Sequence, residues 1–346
     1  MDMIKNKPFL TDEKVDDFTA EDFVFVHRNE ELLDEAYTAT SYAKDVWMHF
    51  KKNKGAVIGA IIIIAIILLA IIGPMISGYK ADAINLDVQS LPPRIQGIYK
   101  LGIFSGYEKG VDQYAAHGVS QAFYWFGTDT NGRDLFTRVW EGTRVSLIIA
   151  LSAVVIDIVI GMSYGLISGY FGGKVDMVMQ RFMEILNGIP TLVVVTLLGL
   201  VLPPGITSIV FALMITGWIG MARISRAEVL KLKESEFILA SRTLGAKNFS
   251  IIFKEVMPNI FGQLIVMSMF SIPNAIFTEA FLSFVGLGIQ APDASLGSLI
   301  SDGYKSLTGH PHIIMSAIIV LALLMLSFNL FADGIRDAFD PNQKQR

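Results

Sequence analysis

Residues 56–76 form an almost unbroken apolar run. At about 1.5 Å of rise per residue, such a run covers the ~30 Å hydrocarbon core of a bilayer as one helix. Backbone polar groups in hydrocarbon must be paired within the segment itself, so the chain has to be helical wherever it crosses. Further apolar stretches of span character follow at residues 145–170, 206–221, 260–288 and 313–331, with a shorter one at 190–202. They are helix-length rather than alternating, which excludes a closed β-barrel. Composition agrees: 52% of residues are hydrophobic and only 17% charged, with a mean hydropathy of +0.51, where about 25% charged is usual for soluble domains. The expected fold class is all-α, an integral membrane protein with about six transmembrane helices.

Basic residues set the orientation. Lys51, Lys52 and Lys54 precede the first span, and Arg223, Arg226, Lys231, Lys233, Arg242, Lys247 and Lys254 crowd the segment between the fourth and fifth. The third-to-fourth turn carries no lysine or arginine, and the fifth-to-sixth loop carries only Lys305. Both termini and residues 222–259 are therefore expected in the cytoplasm, and residues 77–143 mainly outside it. Residues 1–54 form an acidic cytoplasmic tail ending in an interfacial helix around Trp47, and 55–346 the membrane domain. The first twenty residues are polar and acidic, so no cleavable signal peptide is expected. A net charge of -4 argues against a nucleic-acid partner, and with 0 cysteines there is no thiolate site.

The most distinctive polar passage is residues 234–259, ESEFILASRTLGAKNFSIIFKEVMPN. Its pattern predicts two short amphipathic helices broken at Gly245, which can take positive φ, and stopped by Pro258 before the next span. Phe237, Leu244, Ile251 and Ile252 supply an apolar face of the kind that lies in a partner's groove. The simpler alternative is an amphipathic loop resting on the bilayer.

Other motifs carry less. Residues 127–134, GTDTNGRD, have the glycine spacing of a phosphate loop, but Arg133 stands where lysine should be and Asp134 where Ser or Thr should bind magnesium. Asp129, Asn131 and Arg133 begin like a calcium loop without its closing glutamate. Gly127, Asp129, Gly132, Arg133 and Asp134 are expected instead in a structured turn before a membrane helix. Asp157, Asn274 and Glu279 fall within spans, where charged groups usually face a protein or aqueous interior; they line a pathway or join helices by hydrogen bonds. Arg181 and Glu184 fit placement near an interface. The histidines are scattered apart from the external His310–Pro311–His312 pair, so no metal site is expected, and no catalytic constellation appears. Gly161, Gly165 and Gly169 predict close helix packing.

The passage at 236–259 resembles the EAA loop of permease subunits of bacterial ABC importers. The family pattern falls on Ala240, Ser241, Gly245, Met257 and Pro258, and the resemblance implies an ATPase-coupling loop that also includes Glu236, Arg242 and Ala246. Leu239 departs from it where the generic pattern has glutamate, Ser241 where it has a second alanine, and Glu255 where it has isoleucine. Residues 126–147 and 279–297 resemble signatures of the C-type permease of oligopeptide, dipeptide and nickel importers, although Leu296 replaces a usual tryptophan. Residues 47–59 and 332–341 resemble its two ends.

The resemblance implies a type I ABC importer permease fold, MetI-like, in a bacterial cytoplasmic membrane. It implies a homologous second permease, two cytoplasmic ATPase subunits that bind ATP and magnesium, and an extracytoplasmic peptide-binding protein. No cofactor is then bound by this chain, whose sequence holds no nucleotide site. Oligopeptides are the leading substrate, with dipeptides next and nickel or another small solute the alternative. An ion-coupled secondary transporter using Asp157 and Glu279 is the rival class, against which stand the docking loop and the lack of an evident inverted repeat.

Overall fold

The computed structural model describes residues 42–203 and 205–339. The acidic tail at 1–40 and the end of the 332–341 signature, Asp340 and Pro341, lie outside the described residues. Helix α1 (Tyr42–Lys52) leads into α2 (Lys54–Ser77) through Asn53, whose Oδ1 accepts from the Ala56 N–H at 3.1 Å and whose Nδ2 donates to Asp337 at 3.0 Å. On α1, Trp47 is exposed with Lys51 over its ring, while Phe50 is buried edge-on to Phe331. Pro74 lies inside α2 and cannot supply an N–H to the Ala70 carbonyl. Arg144 does so instead, through Nε at 3.2 Å and Nη2 at 2.8 Å.

Residues 78–134 hold short turns, a hairpin of β1 (Tyr107–Glu108) and β2 (Val111–Asp112), and α3 (Gln113–Ala116), around Val88, Leu91, Tyr114 and Tyr124. The next helix runs unbroken from Leu135 to Phe171, as α4 (Leu135–Ile156), a π-turn at Asp157–Met162, and α5 (Ser163–Phe171). It begins well before residue 145, the expected start. Arg138 and Arg144 look like loop residues in sequence, but each finds a carbonyl, Arg138 that of Ala81 at 3.1 Å.

The expected short third span is a bent pair of helices. Helices α6 (Gly173–Asn187) and α7 (Thr191–Gly199) meet at a 71° bend. At ~1.5 Å per residue α7 is far short of a bilayer; the pair is one broken span or a re-entrant loop. Helices α8 (Ile206–Thr216) and α9 (Ile219–Leu232) follow, then α10 (Glu236–Thr243). Helix α11 (Asn248–Ile251), a π-turn at Ile252–Val256 and α12 (Met257–Phe284) form a second continuous 37-residue helix. Pro258 therefore does not stop a helix. The helix passes through a wider turn just before the proline, in which the Met257 N–H reaches back to Ile252 O, and continues beyond it. Helices α13 (Leu296–Lys305) and α14 (His312–Phe339) complete the chain. Among the described residues, five helices are long and apolar enough to cross a membrane, or six with the bent pair as one.

Helix α2 packs on α14 and α4, α12 packs on α14, α4 and α13, and α5 packs on α9. The last contact depends on the glycine row. A Cβ at Gly165 would overlap the Ala222 carbonyl and the Ser225 side chain, and one at Gly169 would stand 2.9 Å from Val229. Gly165→Leu should therefore lower the detergent melting temperature, by an overpacking cost of about 1–3 kcal/mol. Gly199→Ala, whose Cβ meets nothing within 4 Å, should not, and equal melting of the two variants would overturn the packing account.

Candidate functional site

Two helices, α10 and the long helix starting at Asn248, meet at a turn near Gly245. Glu236 sits in the first turn of α10, where a carboxylate favours the helix dipole. At its other end the Gly245 N–H donates to Arg242 O at 3.0 Å and the Ala246 N–H to Ser241 O at 3.1 Å. This closure needs a left-handed residue, and Gly245 has φ +81°, a conformation costing other residues about 1–2 kcal/mol. A Cβ at Gly245 would meet nothing within 4 Å. Its constraint within the chain is conformational, not steric.

The inner side of this turn is anchored. Ile238, Ile251, Ile252, Val256 and Ile260 are buried against Met162, Leu166, Tyr170, Met221 and Val229. Tyr170 holds both arms: the Arg242 guanidinium lies 4.8 Å over its ring, and its hydroxyl donates to Asn248 Oδ1 at 3.2 Å. Nearby, Arg226 on α9 donates through Nε and Nη2 to the two oxygens of Asp176 on α6, both at 2.6 Å. Ser168 on α5 donates to the same carboxylate. The bent helix pair is thus tied to the helices that carry the turn.

The outer side is apolar and bare. Leu244 is 88% exposed, and Phe237, Leu239, Phe249 and Phe253 are exposed around it. Of the four residues expected to face a partner, Phe237 and Leu244 are exposed. Ile251 and Ile252 belong to the buried side, and Leu239, Phe249 and Phe253 take their place. Ala240, Arg242, Ala246 and Pro258 are exposed, while Ser241 and Met257 are half-buried. Exposed large apolar side chains gathered near one turn are a feature that interaction sites share.

The span residues separate into two environments. Asp157, buried at 6% exposure, lines a cavity of about 120 Å³ together with Asn274, Ser271 and Thr278 of α12 and Leu213 and Gly217 beside α8. Glu279 does not line it. Its carboxylate is fully buried and accepts from Ser146 on α4 at 2.7 Å and Ser283 at 2.8 Å, with Ser295 also bonded to it. Arg181 and Glu184 form an exposed pair on α6.

At the other end of the helices, residues 127–134 form the expected structured turn. Asp129 Oδ1 accepts from the Asn131 and Arg133 N–H groups, each at 2.9 Å, and Oδ2 accepts from Arg133 Nε at 2.7 Å. Arg138 Nε stands 3.5 Å from the same oxygen, and Arg133 lies 4.0 Å from Asp302. Asp134 caps α4 through the Thr137 N–H at 2.9 Å. Gly127 and Gly132 have φ +81° and +72°, and a Cβ on either would overlap a carbonyl of the 78–134 segment, Leu91 and Asn85 respectively. The motif is a knot fastening that segment to a membrane helix. His310 and His312 pack edge to face, with Glu108 3.6 Å from His310; among the described residues no group of three potential ligands could hold a metal.

Asp129→Ala leaves Arg133 and Arg138 buried without their carboxylate, a loss of about 3–5 kcal/mol for a broken buried pair. Faster protease cleavage between residues 78 and 134 and a lower melting temperature are expected. Wild-type values for both would contradict the knot.

A family model described as the binding-protein-dependent transport system inner membrane component matches residues 161–345. A second, the N-terminal TM domain of oligopeptide transport permease C, matches residues 41–93. The chain is 41% identical over 319 residues to the dipeptide transport system permease protein of Bacillus subtilis strain 168, covering 92% of this chain and 91% of that one. It is 42% identical over 302 residues to the oligopeptide transport system permease protein of the same strain, covering 87% and 90%. It is 45% identical over 320 residues to the dipeptide transport system permease protein of Lactococcus lactis strain MG1363, covering 90% and 93%.

Proposed function

The chain belongs to the family of binding-protein-dependent transport system inner membrane components, and from this premise we propose that it is one permease subunit of an ATP-driven peptide importer. It is a multi-pass membrane protein of the all-α type I ABC permease class. Peptides, with oligopeptides foremost, are its cargo, in keeping with the relatives named for peptide transport. It pairs with a homologous permease to enclose the pathway, receives substrate from an extracytoplasmic binding protein, and sits in a bacterial cytoplasmic membrane with both termini inside. Two cytoplasmic ATPase subunits bind ATP and magnesium; this chain binds no cofactor and does no chemistry of its own.

The observation that carries the reading is the two-sided turn at Gly245. Its exposed ridge of Phe237, Leu239, Leu244, Phe249 and Phe253 is shaped to be covered. Its buried side is packed on α5 and α9. An ATPase gripping the ridge therefore moves α10 and α12 together with the spans beneath, rather than a loose loop. Glu236, Ala240, Ser241, Arg242, Ala246, Met257 and Pro258 shape this element, and Asp157 and Asn274 face the pathway. Glu279 holds helices together.

Leu244→Glu puts a charge at the centre of the ridge without disturbing any buried contact of this chain. Expression and membrane insertion should be unchanged, while ATPase co-purification and peptide uptake fall by roughly tenfold or more, the scale of losing an interface hot spot. Gly245→Val should give the same phenotype through the lost left-handed turn. Wild-type co-purification and uptake in both variants would defeat the docking assignment.

A further inference from the structure

Three helices lose their regular form beside one cavity. The 135–171 helix widens into a π-turn that starts at Asp157. The 206–232 span breaks between Thr216 and Ile219, with Gly217 at the break. Helix α12 contains Pro273, which deprives the Met269 carbonyl of its helical donor. Asp157, Gly217 and the neighbours of Pro273, namely Ser271, Asn274 and Ala275, all line the same space. π-turns recur at functional positions because the extra residue re-aims side chains. Here the residue at the start of the π-turn is the acid.

Asp157 is 6% exposed and lies in the middle of its span. Among the described residues its polar contact is the Ser271 hydroxyl, and no cationic side chain stands against it. A carboxylate in hydrocarbon costs several kcal/mol unless it meets a cation or a proton. The rest of the lining supplies what a cation needs next, acceptor oxygens on Asn274, Ser271 and Thr278. At about 120 Å³ the cavity has room for an ammonium head group and its first carbons.

We propose that this cavity is a transit subsite for a primary ammonium, the free amino terminus of the peptide being imported. The Asp157 carboxylate is its counter-charge, and the Asn274 carbonyl oxygen and the Ser271 and Thr278 hydroxyls are its hydrogen-bond acceptors. The assignment rests on the peptide-import reading above. It adds to that reading a reason for a charged group at mid-membrane: the cargo's own charge needs a partner halfway, and a side-wall acid supplies it without sealing the path.

The chain has 0 cysteines, so an introduced one reports cleanly. In the assembled complex with cysteine-free partner subunits, Asn274→Cys is labelled with cationic aminoethyl methanethiosulfonate and with neutral methyl methanethiosulfonate. Adding Asp157→Asn should slow the cationic reagent by about tenfold, the scale of one lost charged hydrogen bond, and leave the neutral one unchanged. Trialanine should protect the cysteine, and N-acetyl-trialanine should not. Equal slowing of both reagents, or slowing of neither, overturns the ammonium site. A charge preference that persists with no protection by trialanine overturns the peptide assignment. Cationic labelling that speeds up when choline replaces sodium makes it an alkali-cation site and overturns the proposal as well. The reagent preference requires no transport, so a complex that labels as expected and imports no peptide separates failure of the functional reading from failure of the subsite.

Discussion

A helix in hydrocarbon cannot leave a backbone group unpaired, and that rule governs where this chain departs from regular structure. Each departure is either repaired by a named side chain or put to use. Pro74 frees the Ala70 carbonyl, and Arg144 of the neighbouring helix fills the gap with two hydrogen bonds. The charge that seems misplaced in the second span is therefore the remedy for a proline in the first, and it fixes how the two helices meet. At Pro258 a π-turn precedes the proline and the helix continues through it. That lets the helix run from the Gly245 turn to the far end of α12 as one lever.

The lever matters because of what fastens it. In lipid no hydrophobic gain drives two apolar helices together, so close packing and polar links must hold them. Gly161, Gly165 and Gly169 bring α5 and its π-turn against the backbone near α9. The bidentate Asp176–Arg226 pair ties α6 to α9. Tyr170, at the end of the glycine row, touches both arms of the turn. Force applied at the exposed ridge has a packed route into the helices that surround the cavity, because small residues at four-residue spacing leave no slack between them.

Much of this is legible in sequence, and the exceptions share a cause. Apolar runs mark the spans because the bilayer fixes a length scale, and Gly245 is readable because positive φ has few takers. The start of α4 is missed because Arg138 and Arg144 look too polar for a span; their carbonyl partners, Ala81 and Ala70, lie far away in sequence. Ile251 and Ile252 are assigned to the wrong side because Pro258 suggests a short helix ending there. Once residues 248–284 are one helix, Ile252, Val256 and Ile260 fall on one stripe and Phe249 and Phe253 on another. The periodicity was present in the sequence, but its phase required knowing that the helix continued. The cavity at Asp157 is not legible at all, since it is made by three breaks in three separate helices.

Asp157 and Glu279 show why residue type alone cannot assign a role inside a membrane. Both are buried acids in long helices. Glu279 receives hydroxyls from Ser146 on α4, from Ser283 one turn along its own helix, and from Ser295 before α13. Ser295 is also the cap of α13, accepting from the Ser298 N–H at 3.1 Å. Each carboxylate oxygen of Glu279 is engaged, and three elements converge on it. Such a group is fully occupied with holding α4, α12 and α13 in register and has nothing left for a ligand. Asp157 has one hydroxyl neighbour and an adjoining space lined by further acceptors. The difference lies in how many of the acid's hydrogen-bond sites the protein itself has filled, and that count makes one acid a fastening and leaves the other with free acceptor sites beside a cavity.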